Sequence, residues 1–484
     1  MQIRFSHIVL LAFGVLFLLI YFLALQGLAS AGNEIYMRYA SIILFLSASA
    51  FILFRGIKKM QIDVDVFGKK QLLIAVSLPV FLIATIFHEY YVGAYATGIF
   101  VGIALVYLLL NRKFYPPVKI FYFMFFYAAM FFVGTIGTPD GFRFPEISLS
   151  FYLIPLSFCC FRLSQKTLLR IAHIFFRAMI IYLIICVLYW WFNFQYLDRS
   201  FFDWITSKIM FGNLELIGWD TKLLLAKGEY FAAFFFVDRW AGYFHPTFVS
   251  MVLLFALITG FYLYHKKDIL PTVNRVELLI YMVLCFLVIV LMESRIGFTG
   301  FVFVIAATGL YYAKLKKRFF VVVLLCYIIV GVTTVFVLDD PLDKFTDDHI
   351  RDTYNTLSIN YIKEHFWSGC GFHEQTPALL GQAQAMGIEL PNAEPPRHAH
   401  NQFIGDMVEY GVWGLFTLLA MLGAFTYYAI KRRSYLLQLC LCISLLLMLI
   451  DEPLYIQEGI TRFTVFIVFF VAIAESGKIS SGKV

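Results

Sequence analysis

The chain carries too little charge to be a water-soluble protein of its size. Only 14% of its 484 residues are Asp, Glu, Lys or Arg, while 61% are hydrophobic and the mean hydropathy is +0.81. A soluble domain must cover its core with polar side chains, and this composition does not supply them. Strands that alternate polar and apolar residues are missing too, which excludes a transmembrane β-barrel. Cysteine is sparse and poorly placed for cross-links. Cys159, Cys160, Cys186, Cys285, Cys326, Cys440 and Cys442 sit in apolar runs, and Cys370 has no evident loop partner. No disulfide framework follows. Internal repeats, low-complexity tracts and a separate soluble domain are also absent from the pattern.

What remains is a succession of apolar runs, each long enough to cross about 30 Å of hydrocarbon. The first, from about Ile8 to Leu28, is too long for a cleaved signal core and reads as a retained span. The fold class is therefore an all-α polytopic integral membrane protein. A net charge of +7 raises the question of a nucleic-acid partner, but the distribution of the charge answers it. Lys and Arg gather in short loops: Arg55 to Lys70, Arg112 to Lys119, Arg162 to Arg170, His265 to Arg275, Lys314 to Arg318, and Lys431 to Arg433. Between consecutive clusters lies enough apolar sequence for two crossings, so all six can face one side. The positive-inside rule makes that side the cytoplasm. The count comes to about 14 transmembrane helices, with both termini cytoplasmic.

The outer side follows by elimination. It takes a small loop at Pro139 to Glu146, a longer one at 195–245, a short turn at Glu293 to Ile296, a large loop near 339–402, and a last loop at Asp451 to Glu458. Two regions result: N-terminal transmembrane helices over 1–194, and a second transmembrane region over 195–484 that contains both long outer loops.

Chemistry concentrates in the outer loops. His398-Ala399-His400-Asn401 closes the large loop and opens into an apolar helix, with Arg397 beside it and Gly405, Gly411 and Gly414 following. Imidazoles at neutral pH can accept or donate a proton. Three arginines break the charge rule by lying outside: Arg239, Arg295 and Arg351. A guanidinium near lipid is costly unless it meets an anion, and its fork suits phosphate oxygens; pairing with a nearby acid such as Asp238 or Glu293 is the plainer alternative. His245, His365 and His373 are weaker candidates. His398 and His400 could bind zinc, but no H-x-x-x-H, carboxylate or Cys partner stands at ligand spacing, so no metal and no other cofactor is expected. Trp367 to Phe372 lacks the Lys and Ser/Thr of a nucleotide loop and reads as a tight turn.

The run Arg397-His398-Ala399-His400-Asn401 with x9-G-x-x-G behind it resembles the O-antigen ligase and Wzy-type polymerase superfamily. Arg239-x-x-Gly242 with Pro246, Ser294-Arg295-x-Gly297 and Gly369-x-Gly371 match that family in order. The resemblance covers roughly Arg239 to Leu415. It implies a GT-C-like membrane glycosyltransferase that takes a glycan from an undecaprenyl diphosphate donor at the periplasmic face of the bacterial inner membrane, without a metal. It implies catalytic roles for His400 as base and for Arg239 and Arg295 as diphosphate clamps. Asn401, His398, Arg351 and Arg397 would bind or orient substrate.

The acceptor implied is either another glycan (a polymerase) or lipid A-core (a ligase). Family ligases usually have fewer spans, which favours the polymerase. An O-linked protein oligosaccharyltransferase and a non-enzymatic flippase for the same lipid-linked glycans are the remaining alternatives. Membrane lipid and a chain-length regulator stand as further partners; nucleic acid does not.

Overall fold

The computed structural model describes residues 69–85, 90–136, 145–196, 246–266, 273–291, 294–312, 348–388 and 398–479. The first span lies outside them, as does the long loop from residue 197 to 245. Among the described residues there is no strand, and the regular elements are helices, as the apolar runs predict.

Those helices are α1 (Lys69–Ala84), α2 (Tyr90–Asn111), α3 (Phe121–Gly134), α4 (Leu149–Phe158), α5 (Gln165–Tyr196), α6 (Pro246–His265), α7 (Arg275–Leu291), α8 (Arg295–Tyr312), α9 (Asp348–Glu364), α10 (Gln375–Met386), α11 (Gln402–Lys431), α12 (Tyr435–Ile450) and α13 (Gln457–Ile479). Stretches of four of them, at 165–187, 247–265, 402–431 and 457–476, are long and apolar enough to cross a bilayer; six shorter apolar helices accompany them. The chain is thus a helical membrane protein. The figure of about 14 spans extends over residues outside the described set.

A bundle in lipid gains little from apolar burial, because the tails outside are as apolar as the core. Close packing and internal polar bonds must hold it together. α6 and α13 sit deepest and touch α5, α12 and each other. Small residues allow the approach. A Cβ on Gly260 would stand 2.3 Å from the Phe176 ring, and one on Gly297 2.5 Å from Ser250 Oγ. The outside of the bundle is correspondingly greasy: Leu109 is 75% exposed, Ile99 64% and Val276 64%. In water such faces would aggregate, whereas in lipid they are the solvated surface.

Contacts between helix ends sort the loops into two groups. Tyr115 N donates to Cys159 O at 2.8 Å, and Arg162 lies over the Tyr115 ring. Arg275 Nε donates to Tyr264 Oη at 2.9 Å, and Arg432 pairs with Glu475 at 2.6 Å. These contacts join loops of the basic clusters. The opposite ends of the same helices meet one another through Phe372 N to Gly134 O, Ser250 to Ser294, and Gln375 to Glu452. The histidine motif belongs to this second end.

α11 is broken within that end. Gly411 has φ 62° and ψ −158°, a conformation that only glycine adopts without strain. The break frees backbone groups for the segment 366–372. Cys370 N donates to Val408 O and Gly371 N to Glu409 O, each at 2.8 Å, while Val412 N donates to Phe366 O at 2.8 Å. The Gly369-x-Gly371 turn is therefore a strap across the kink, as the tight-turn reading predicts. Gly369 has φ 65°, and a Cβ there would lie 2.3 Å from Glu409 O.

Gly411→Ala should cost at least about 2 kcal/mol, from the left-handed backbone and from overlap with Trp367. Gly423→Ala, on the same helix with nothing within 4 Å, should be neutral or stabilising. Thermal unfolding of the detergent-solubilised protein checks this, and equal midpoints for the two variants would contradict the strap.

Candidate active site at the histidine end of the bundle

Asn401 begins the site by capping α11. Its extended backbone (φ −154°, ψ 117°) lets Oδ1 accept from Phe403 N at 3.0 Å and Ile404 N at 3.2 Å. Its Nδ2 donates to Leu449 O at 3.0 Å. The amide is thus committed to structure: it ties the start of α11 to the end of α12. Its contribution to a site is to fix the residue before it.

That residue, His400, has φ 53°. A non-glycine residue pays about 1–2 kcal/mol to sit there. The turn brings the His400 ring within 4.1 Å of the His398 ring, and the Tyr354 ring on α9 lies near-parallel to it at 6.0 Å. Both histidines are partly exposed, so they line the mouth of the site.

Two carboxylates face them from the loop between α12 and α13. Glu452 is almost fully buried, and its Oε1 stands 3.6 Å from His398 Nδ1. Its Oε2 accepts from Gln375 Nε2 at 2.8 Å, while Gln375 Oε1 takes Ala399 N at 3.1 Å. Gly405 makes room: a Cβ there would lie 2.2 Å from Glu452 Oε2. Asp451, also buried, accepts from Glu452 N at 2.9 Å. A ligand atom from each of His398, His400 and Asp451 lies within 4.8 Å of the others. The carboxylate missing from the local sequence is supplied by the fold.

A second network lies beneath. Gln402 Nε2 donates to Asp406 Oδ1 at 2.7 Å, Tyr127 Oη donates to Asp406 Oδ2 at 2.9 Å, and Leu454 N donates to Gln402 Oε1 at 2.7 Å. Glu409 Oε1 accepts His373 N at 3.0 Å. Tyr455 sits between the His373 ring (4.7 Å) and the His398 ring (5.8 Å). Burial, then the charges of Glu409 and Glu452, hold its phenol well above the ordinary tyrosine range, so it stays protonated.

The arginines divide. Arg239 and Arg397 fall outside the described residues. Arg351 is in the first turn of α9, three residues before Tyr354, on the helix that meets His400. Arg295 is the first residue of α8, directly after Ser294, whose Oγ accepts from Gly297 N at 3.0 Å and caps the helix. Gly300 faces Ile443 and Thr308 bonds Tyr435, so α8 and α12 run antiparallel. That register puts the Arg295 backbone level with Met448, one turn short of Asp451.

One further cation went unsuspected: Arg462, 1% exposed in α13, donates from Nε to Thr85 O at 2.8 Å. The acidic groups Asp406, Glu409, Asp451 and Glu452 were also not singled out. An ionisable residue in an apolar run was the available signal for Asp406, Glu409 and Arg462.

Imidazoles beside buried carboxylates, at one end of a membrane bundle, are chemically able to exchange a proton. Residues 280–419 match the family model described as O-Antigen ligase, Wzy_C. Over that segment the chain is similar to the O-antigen ligase family. The matched segment holds Arg295, Arg351, Arg397, His398, His400, Asn401, Gly411 and Gly414; Asp451 and Glu452 lie beyond it. No curated protein matches the chain.

Asn401→Ala should destabilise the protein by about 1 kcal/mol through loss of the cap. Asn401→Asp, which keeps the capping oxygen but loses the donor to Leu449 O, should recover part of that. Chemical denaturation of the purified variants gives the comparison, and equal losses for Ala and Asp would show that the cap is not what Asn401 contributes.

Proposed function

We propose that this protein is a GT-C-type glycosyltransferase of the bacterial inner membrane. It polymerises undecaprenyl-diphosphate-linked oligosaccharide repeat units into surface polysaccharide at the periplasmic face. The observation that carries the reading is the His398–His400 pair at the head of α11, set against Asp451 and Glu452 at the end opposite the basic loops. Basic loops mark the cytoplasmic side by the positive-inside rule, which leaves the histidines to the periplasm.

In this mechanism His400 takes the proton of an acceptor hydroxyl as its oxygen attacks the anomeric carbon of the donor. The bond from that carbon to the diphosphate oxygen breaks, and undecaprenyl diphosphate leaves with the electron pair. Asp451 offsets the charge of the imidazolium until the proton passes to water. Arg295 and Arg239 hold the diphosphate, whose charge is already present, so two guanidiniums replace a metal ion. The N-terminus of α8 adds its partial positive charge behind Arg295. His398 stands beside Glu452, and with Arg351 and Arg397 it lines the glycan cleft.

A ligase acting on lipid A-core would use the same donor chemistry, and the description of the matching family model favours keeping it as the second reading. The two differ in a deletion strain. Loss of a polymerase leaves a single repeat on the lipid core, whereas loss of a ligase accumulates undecaprenyl-linked chains.

His400→Ala should abolish transfer, with protein level and membrane insertion unchanged. Near-normal activity would remove His400 as base. Arg295→Lys should also lose most transfer, roughly 10²-fold or more, because an ammonium cannot reproduce two parallel bonds to a diphosphate. In vitro transfer from a lipid-linked repeat unit measures both, and wild-type activity in Arg295→Lys would refute the clamp.

A further inference from the structure

We propose that His398, His400 and Asp451 bind a transition-metal cation of the Zn²⁺ or Co²⁺ type, and that the bound ion shuts off glycan transfer. The binding site rests on geometry alone; the inhibition rests on the reading of His400 as the base.

Two histidines at H-x-H spacing are a weak metal signal. The fold adds a third donor from the far end of α12, so that one ligand atom from each residue lies within 4.8 Å of the others. Around a tetrahedral zinc ion with bonds of about 2.0–2.2 Å, ligand atoms stand about 3.3 Å apart, so the cluster must contract. The partly exposed imidazoles have room to turn, while buried Asp451 is fixed by its bond from Glu452 N. Contraction therefore falls on side-chain rotation at the mouth, where an ion can also enter.

A second observation points the same way. Metal-binding imidazoles usually have a carboxylate behind them that sets ring orientation and raises basicity. Glu452 stands near His398, 3.6 Å from the Nδ1 that also accepts from His400 N at 3.4 Å, and is itself held by Gln375. Two imidazoles and one carboxylate suit Zn²⁺, Co²⁺ or Ni²⁺ and not Mg²⁺ or Ca²⁺. The remaining position falls to water.

Such an ion does not help the chemistry proposed above, where guanidiniums already meet the diphosphate. It competes with that chemistry, because one lone pair on His400 cannot bind a cation and accept a proton at once. The site thus makes transfer sensitive to free zinc.

The test titrates Co²⁺ into the purified full-length protein and follows its visible ligand-field absorption. One Co²⁺ per chain is expected, displaced by Zn²⁺. His398→Ala and Asp451→Asn should each weaken binding more than about tenfold, whereas His365→Ala, at an exposed histidine elsewhere, should not. Size-exclusion profiles establish that each variant is folded. Absence of binding, or binding that neither substitution weakens in folded protein, overturns the site. Transfer activity is then measured with Zn²⁺ and after chelation. Reversible loss supports the whole proposal. Full transfer with Zn²⁺ bound would uphold the site but refute inhibition and His400 as base.

Discussion

The end of this bundle that carries the histidine motif is organised around one buried carboxylate. Glu452 lies in protein and lipid surroundings where an uncompensated charge costs several kcal/mol, so its partners must be held in place. Gln375 bonds one oxygen and His398 faces the other. Through Gln375 the same group fixes Ala399, and so sets the backbone between the two histidines. Gly405 is glycine because the carboxylate presses on α11 where a side chain would stand. Four distant stretches meet there: the start of α10, the histidine loop, the first turn of α11 and the loop after α12. Disturbing Glu452 would release all four.

The break at Gly411 does the complementary work on the far side of α11. A continuous helix would satisfy its own backbone and leave nothing for the 366–372 strap to bind. Breaking it frees two carbonyls and one amide, and the strap takes all three. The strap in turn carries His373 toward Glu409 and Tyr455. Rigidity at the site is therefore obtained from backbone bonds between loop and helix, in a region where apolar burial contributes little.

Much of the architecture was legible in the sequence because its signals are local. Apolar runs give helices, Lys and Arg mark one end, and His400-Asn401 announces the head of α11. The strap could be read from Gly369 and Gly371 by the absence of nucleotide-loop residues. What could not be read was anything depending on residues far apart in the chain. Asp451 and Glu452 looked like ordinary loop acids, since no periodicity relates them to His398 or Gln375. A search for metal ligands at local spacing likewise does not reach Asp451, which α12 brings back beside His398 and His400. Asn401 looked like a substrate-orienting amide, and its side chain is occupied by the cap and by Leu449. Arg462 was hidden within an apolar run that was counted as a span. Arg239 and Arg397 keep only the roles that the family resemblance implies.

The chemistry proposed for this end of the bundle is formation of a glycosidic bond at the expense of a lipid diphosphate. Purified protein reconstituted in proteoliposomes with a lipid-linked repeat unit tests it directly. One free polyprenyl diphosphate should be released for each new glycosidic bond. Glycan that crosses the bilayer still attached to its lipid, with no bond formed and no diphosphate released, would contradict it.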